Sequence, residues 1–403
     1  MRSPSQDGLT GCPAGGGKLY NGSRLPLPDA YHSPTVKPRI VLVSRLRFRI
    51  ARFGTAVRVA SSVPRLPRRR SRPPRAPELV ALGDLMLDVM VAGHGMLELG
   101  SDTAGTVRFR AGGSAANVAR AFARAGGRAV FVGAVGRDPW ATRLVAALRA
   151  DGVQVRAVRK PAPTGRIVVV LDRVGERSFI TQRGAADGLA RVDVGIDWFE
   201  RSDCLHLPAY SLLNDPLADA ALRAVELTRA AGGLVSVDLA SRAPLLARGR
   251  ADAFRRLRAV EADLLFANTS EAAALVGSSA TGRLLDLAPV VVVKEGAAGC
   301  RVLSRSGSAA APMAGGDRRG PMQLTVATTP LETLDTTGAG DAFDAGFLYA
   351  WLNARAEAAS RPGSSGFAGA AEPNAAALLR RAAVAGHRAA TRLLTRPRHE
   401  LGA

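Results

Sequence analysis

The sequence predicts an α/β fold: a doubly wound, mainly parallel sheet flanked by helices, with a small β-layer at its side. Three observations carry the prediction. Short apolar runs alternate with helical stretches through most of the chain, the pattern of a parallel sheet with crossover helices. Two places break that alternation with strands that have no helix of their own, Val107–Arg110 and Arg166–Leu171. The chain has 403 residues and 47% hydrophobic content, enough to bury a substantial core.

The elements follow in order. Leu79–Leu82 is an apolar run ending at Gly83-Asp84 and reads as a buried strand, so the globular part begins near Glu78. Over Ser114–Ala125, Ala115, Val118, Ala119 and Phe122 recur at helical spacing, and Gly126-Gly127 stops the helix. Ala129–Val132 is the next strand, followed by a helix over Trp140–Arg149 that ends at Asp151-Gly152. Strand and helix pairs continue: Cys204–Leu207 with Pro216–Arg229, Leu234–Asp238 with Pro244–Arg258, and Asp263–Ala267 with Glu271–Leu275. Pro289–Val293 is a further strand. Asp172–Glu176 reads as a hairpin turn before Arg177–Thr181, so strands near 88–110 and 165–182 form the β-layer, placed to act as a lid. Residues 305–320 and 358–371 read as flexible loops, within the longer low-complexity stretches 305–323 and 358–373. The arrangement as a whole is Rossmann-like.

Residues 1–77 differ from the rest. They carry 16 Lys and Arg against Asp7 and Asp29 and are rich in Pro, Gly and Ser, a composition that predicts a disordered extension. Most of the net charge of +21 resides there, and Arg outnumbers Lys 51 to 4 across the chain, which points to a GC-rich genome rather than a phosphate-binding surface. An organelle transit peptide and a nucleic-acid-binding arm are the rival readings of this leader. The run Ile40-Val41-Leu42-Val43 is broken by Arg45, Arg47 and Arg49 and makes a poor signal-peptide core. No apolar run reaches the roughly 18 residues of a membrane span. Cys12, Cys204 and Cys300 form no metal or disulfide spacing. Neither do His32, His94, His206, His387 and His399, although His94 falls in the lid region. The expectation is a cytoplasmic protein with no membrane or nucleic-acid partner.

The chemistry concentrates in Leu334-Asp335-Thr336-Thr337-Gly338-Ala339-Gly340-Asp341-Ala342-Phe343. Phe343, Phe347, Leu348, Trp351 and Leu352 then repeat at helical spacing, so Gly338, Ala339 and Gly340 lie where a loop enters a helix. A helix N-terminus offers unpaired N–H groups and partial positive charge, and small residues let an anion approach them. Asp341 falls in the first helical turn, placed to take the proton of an attacking hydroxyl during phosphoryl transfer. The plain alternative is an acid that favours the helix dipole by about 0.3–1 kcal/mol with no catalytic part.

Asp335-Thr336-Thr337-Gly338-Ala339-Gly340-Asp341 resembles the C-terminal signature of ribokinase-like (PfkB-type) carbohydrate kinases. Gly112-Gly113-Ser114-Ala115-Ala116-Asn117 resembles the family's N-terminal glycine pair with its downstream Asn, and Gly133-Ala134-Val135-Gly136-Arg137-Asp138 its Gly-x-x-Gly-x-Asp segment. The resemblance covers about residues 78–395. It implies an ATP- and Mg²⁺-dependent kinase acting on a hydroxyl of a sugar or sugar-like molecule, with Asp341 as base and Gly338, Ala339 and Gly340 as the anion hole. It implies that Asp88, Gly113 and Asn117 hold the substrate. Asn268, Lys294, Gly296, Gly299 and Thr336 would serve ATP, and Glu271, in Asn268-Thr269-Ser270-Glu271, would serve Mg²⁺ through water. Lys294 stands where relatives often carry Thr, and its cation could reach the phosphates. A homodimer formed through the lid is a further expectation.

Plainer roles exist for several of these residues: a turn cap for Asp88, a local backbone bond for Asn117, a helix cap for Asn268 and Glu271, a hairpin turn for Gly296 and Gly299. Ser114-Ala115-Ala116 departs from the Lys or Glu-Ala that relatives often have after the glycine pair, which leaves the sugar open. No Gly-x-x-x-x-Gly-Lys-[Ser/Thr] occurs, so this is not a P-loop enzyme. The rival functions are a nucleoside kinase of the same family, a non-catalytic sugar or nucleotide sensor on a kinase fold, and nucleic-acid binding through residues 1–77.

Overall fold

Strand side chains alternate between two faces, and here that period of two sorts the apolar residues into two cores. The computed structural model describes residues 75–93, 100–171, 177–305, 321–333, 335–360, 375–397 and 399–401. The elements are β1 (Glu78–Gly83), β2 (Met86–Gly93), β3 (Gly105–Gly112), α1 (Ser114–Arg124), β4 (Arg128–Val135), α2 (Pro139–Ala150), β5 (Gln154–Arg159), β6 (Arg166–Leu171), β7 (Arg177–Gln182), β8 (Cys204–Pro208), α3 (Leu217–Ala230), β9 (Leu234–Asp238), α4 (Arg242–Leu246) and α5 (Arg250–Arg258). They continue with β10 (Leu264–Asn268), α6 (Thr269–Val276), β11 (Val290–Lys294), β12 (Cys300–Ser304), β13 (Met322–Val326), α7 (Ala339–Ser360) and α8 (Ala375–Leu394).

The large sheet runs β13-β12-β11-β10-β9-β8-β1-β4-β5. All its pairs are parallel except β11 with β12 and β12 with β13. On β1, Val80 and Leu82 face the core shared with α3, α5 and α6, while Leu79 and Ala81 face the core shared with α1, α2, α7 and α8. Phe266 of β10 lies fully buried in the second core, edge-on to Phe347 at 5.4 Å and to Phe343 at 6.5 Å. Truncating such a ring to Ala commonly costs about 3–5 kcal/mol. Among the described residues no helix is long and apolar enough to cross a membrane.

The strand order reverses between β1, whose next neighbour in sequence within this sheet is β4, and β8, which continues outward on the other side. In open α/β sheets such a reversal leaves a crevice at the carboxyl ends of the strands, where ligands bind. Beside that edge lies a second, four-stranded sheet in the order β3-β2-β6-β7. The Gly133–Asp138 segment ties the two regions together. Asp138 caps α2 by accepting from the Ala141 N–H at 3.1 Å, and it also accepts from the N–H and hydroxyl of Thr164 at 2.7 and 2.9 Å.

Several expectations need correction. The helix expected over Pro244–Arg258 is two, α4 and α5, because Gly249 adopts φ 87 between them, a backbone conformation that ends one helix and starts the next. Helix α7 runs to Ser360, past residue 358 where a loop was expected to begin, and β13 starts at Met322, after the loop expected over 305–320. Strands β5, β12 and β13 and helix α8 were not anticipated. The expected turn 172–176, His94, and the expected disorder of 1–74 lie outside the described residues.

Candidate active site

The signature loop folds on its own side chains. Asp335 Oδ1 accepts from the Thr337 N–H at 3.0 Å, a local bond of the kind Asp favours in turns. Its Oδ2 accepts from Arg110 Nη1 of β3 at 2.6 Å, which links the small sheet to the loop. Gly338 follows at φ 74, a left-handed conformation that a Cβ would strain. The chain then enters α7. The Ala339 N–H bonds back to Thr336 O at 3.1 Å and the Ala342 N–H to Gly338 O at 2.9 Å. The amides of Gly340 and Asp341 have no backbone acceptor among the described residues. The expected anion hole is thus revised: the Ala339 amide is spent inside the turn, and those of Gly340 and Asp341 are the ones left for an anion.

Asp341 sits part-exposed at this helix start and is fixed by α1. Ser114 donates its hydroxyl to Oδ1 at 2.7 Å, and Asn117 Nδ2 donates to Oδ2 at 2.9 Å. Arg120 Nη1 donates to Asn117 Oδ1 at 3.0 Å, which turns the amide so that its NH₂ faces the carboxylate. Arg120 is held in turn by Asp151 Oδ2 at 2.6 Å. Burial pushes the Asp341 carboxyl up to about 6, although the bonds from Asn117 and Ser114 pull it down. A carboxylate near that value serves well as a base at neutral pH.

Asp88 faces the same cleft from β2. It is 8% exposed, and its Oδ1 is buried without a hydrogen-bond partner. Burial, then Asp84 and Asp341, push it up to about 7 against the pull of Arg120 and Arg110. An unpartnered buried carboxylate is costly unless a ligand completes it. The glycine pair makes room for it: a Cβ on Gly112 would lie 2.2 Å from Asp88 Oδ1, and Gly113 takes φ 98 against Asp84 O. Asp84 Oδ1 accepts from the Ala115 N–H at 3.2 Å, and its Oδ2 lies 3.6 Å from Arg183 Nη1. Arg183 rests over the Tyr210 ring at 4.9 Å with its Nη2 buried and unpartnered.

On the other side of Asp341, Asn268 and Glu271 form a capping box on α6. Asn268 Oδ1 accepts from the Glu271 N–H at 2.9 Å, and Glu271 Oε2 accepts from the Asn268 N–H at 2.8 Å. Glu271 is 5% exposed, and burial, then Asp238, push it up to about 7. Lys294, at the end of β11, has its ammonium 3.1 Å from Asp238 Oδ2 and 3.0 Å from Asp344 Oδ1. Burial opposes its charge, but Asp238 and Asp344 hold it above its ordinary range. Gly296 and Gly299 bound the turn from β11 to β12, where the Glu295 N–H bonds Gly299 O at 2.8 Å.

The structure therefore gathers Asp88, Gly113, Asn117, Asp341 and the glycine turn around one cleft, with Asn268, Glu271 and Lys294 at its edge. Sequence reasoning missed Ser114, Arg120, Arg110, Asp238 and Asp344. Only Asp344 carried a usable signal, as an acid one helical turn beyond Asp341 on a face otherwise lined by Phe343 and Phe347.

A strand-order reversal with helix-start amides that lack a backbone acceptor, the carboxylate of Asp341 beside them and the unpartnered carboxylate of Asp88 fit the phosphotransferases of the ribokinase fold. The comparisons agree. The model of the pfkB family carbohydrate kinases matches residues 76–385, and the chain belongs to that family, whose members move a phosphoryl group from ATP to a sugar hydroxyl. It is 32% identical over 282 residues to fructokinase-2 of Zea mays, covering 66% of this chain and 77% of that protein. It is 29% identical over 290 residues to probable fructokinase-4 of Arabidopsis thaliana, covering 69% and 83%. Its fold matches fructokinase with bound ATP from Xylella fastidiosa at TM-score 0.61 and 24% identity, over 80% of this chain and 93% of that one.

Proposed function

We propose that Asp341 is the base that takes the proton of the acceptor hydroxyl while the amides of Gly340 and Asp341, in the turn formed with Gly338 and Ala339, carry the charge of the migrating phosphoryl group. The observation that supports this most is the pairing of two unengaged amides with a carboxylate already oriented by Ser114 and Asn117. The hydroxyl oxygen attacks the γ-phosphorus, the bond to the β,γ-bridging oxygen breaks, ADP leaves, and the hydroxyl proton passes to Asp341. Asp88 and Gly113 bind the acceptor, with Asn117 bordering them, and Asp88 Oδ1 accepts from its hydroxyls. Asn268, Lys294, Gly296, Gly299 and Thr336 line the ATP side.

No cluster of three or more ligating side chains for a metal exists among the described residues. That suits Mg²⁺, which keeps most of its waters and binds through phosphates and one or two carboxylates. The second oxygen of Glu271 makes no hydrogen bond of its own in the capping box, so Glu271 with Asn268 would hold the hydrated ion. The ion supplies charge neutralisation on the phosphates.

The acceptor we favour is a free sugar of the ketohexose class, because the curated relatives bear the name fructokinase. The cytoplasm suits two buried, unpaired thiols, Cys204 and Cys300. A second copy would cover the apolar face of the small sheet. There Val168 and Ile180 form one row and Val107, Val91 and Val170 the next, with Val107 56% and Ile180 68% exposed, while Phe109 and Val89 at the end of the first row pack against Trp140 and the second core. Sedimentation of the wild type against Ile180→Arg tests this: a dimer reduced to monomer is expected, and an unchanged monomer contradicts it.

The test of the function is ADP release with Mg-ATP and a panel of fructose, ribose, keto-deoxy sugar acids and nucleosides. Turnover with fructose above the others is expected. Preference for a nucleoside would favour the nucleoside-kinase reading, and no release with any member would favour a non-catalytic sensor.

A further inference from the structure

Asp238 and Asp344 pair with one ammonium, and Glu271 and Asp341 lie within its electrostatic reach, at the edge of a cleft that has to admit a polyphosphate. Such a concentration of negative charge opposes binding unless something offsets it. The cation placed among them is Lys294. Its side chain is 14% exposed, while those of Asp238 and Asp344 are 6% and 0% exposed. The ammonium lies over the Phe266 ring at 5.8 Å, and a Cβ on Gly340 would come within 3.3 Å of it.

These contacts join three elements. Asp238 ends β9, Lys294 ends β11, and Asp344 stands one turn beyond Asp341 on α7. The first turn of α7 is therefore pinned from below by an ion group rather than by apolar packing alone. Lys294 makes no hydrogen bond to Asp341, so any effect on the base passes through position and field.

We infer that Lys294 is a positioning residue for the transfer: clamped between Asp238 and Asp344, it holds the first turn of α7 so that the Gly340 and Asp341 amides face the cleft, and its charge offsets the surrounding carboxylates. The inference rests on the reading of Asp341 as the base. It gives Lys294 a role through the two aspartates in addition to any contact with phosphate. The groups facing Asp341 are Ser114 and Asn117 from α1, Asp88 from β2, Tyr210 after β8, Asp238 from β9, Glu271 from α6 and Lys294 from β11, with Asp344 on its own helix. Of these, Asp238 raises the proton affinity of Asp341 and Lys294 lowers it.

The experiment measures kcat, both KM values and the pH profile of kcat/KM for wild type, Lys294→Met, Asp238→Asn and the double variant Lys294→Met/Asp344→Asn, with thermal melting of each. Lys294→Met is expected to lower kcat on the order of 10²-fold and to move the acid limb to higher pH. Asp238→Asn is expected to move that limb to lower pH. The double variant is expected to recover the melting temperature but not kcat. An acid limb unmoved in the single variants overturns the inference, as does a Lys294→Met variant with raised KM for ATP and unchanged kcat. If Lys294→Met does not fold, Asp238→Asn and the double variant decide on the same criteria. Asp341→Asn is assayed alongside: its retained turnover removes the base assignment itself, whereas an inactive Asp341→Asn with unmoved limbs elsewhere removes only the role given to Lys294.

Discussion

Ser114 donates its hydroxyl to Asp341 Oδ1 at 2.7 Å, joining the first residue of α1 to the first turn of α7. The residue that departs from the family's common pattern after the glycine pair is therefore one of the two, with Asn117, that orient the Asp341 carboxylate.

Ser114→Ala removes a bond to the charged form of Asp341, worth about 1.5–3 kcal/mol. The carboxyl, already raised to about 6, then protonates more readily. Because the base works only when deprotonated, the acid limb of kcat/KM moves to higher pH. Activity below pH 6 should fall about 10–100-fold, with little change above about pH 9. A pH profile of the variant checks this.

Asp88→Asn should raise the acceptor KM about 10–100-fold, the loss expected for hydrogen bonds to a charged acceptor, and leave the KM for ATP near its starting value. Asp88 is pushed up to about 7, chiefly by burial, so it is neutral below that pH and charged above it. Acceptor affinity in the wild type should accordingly strengthen as pH rises through 7. Calorimetric titration of acceptor across pH 6 to 8 reads both effects.

Removing residues 1–74 should leave melting temperature and turnover unchanged. The family match begins at residue 76, β1 begins at Glu78, and Arg75 is the first described residue to make a tertiary contact, to Arg201 O and Asp203. Loss of folding in the shortened chain would show that the leader contributes to the domain.

The parts of the molecule that were legible in the sequence are those where one local pattern decides. The apolar stripe of α1, the strand runs of β1, β4 and β8 to β11, and the glycine turn before Asp341 are set by periodicity or backbone demand over a few residues. The break at Gly249 was not legible, because a glycine within a helical stretch ends the helix only when tertiary packing makes it. Strand β13 is the antiparallel edge strand, with Gln323 and Thr325 exposed, and β12 beside it is buried but short and interrupted by Arg301 and Ser304, so the apolar signal of both is weak. The site was legible where a motif names a residue, as at Asp341 and Asp88. It was not legible where partners come from distant elements. Arg120 reaches Asn117 and Asp151, Arg110 reaches Asp335, and Lys294 reaches Asp238 and Asp344, and none of these spacings follows from the order of the chain.

The account depends on Asp341 acting as the base, and one variant tests it most directly. Asp341→Asn keeps the size of the side chain and should retain binding of ATP and sugar by calorimetry, while ADP release falls by about 10²–10⁴. Turnover near the wild-type rate in a variant that binds both ligands would contradict the account.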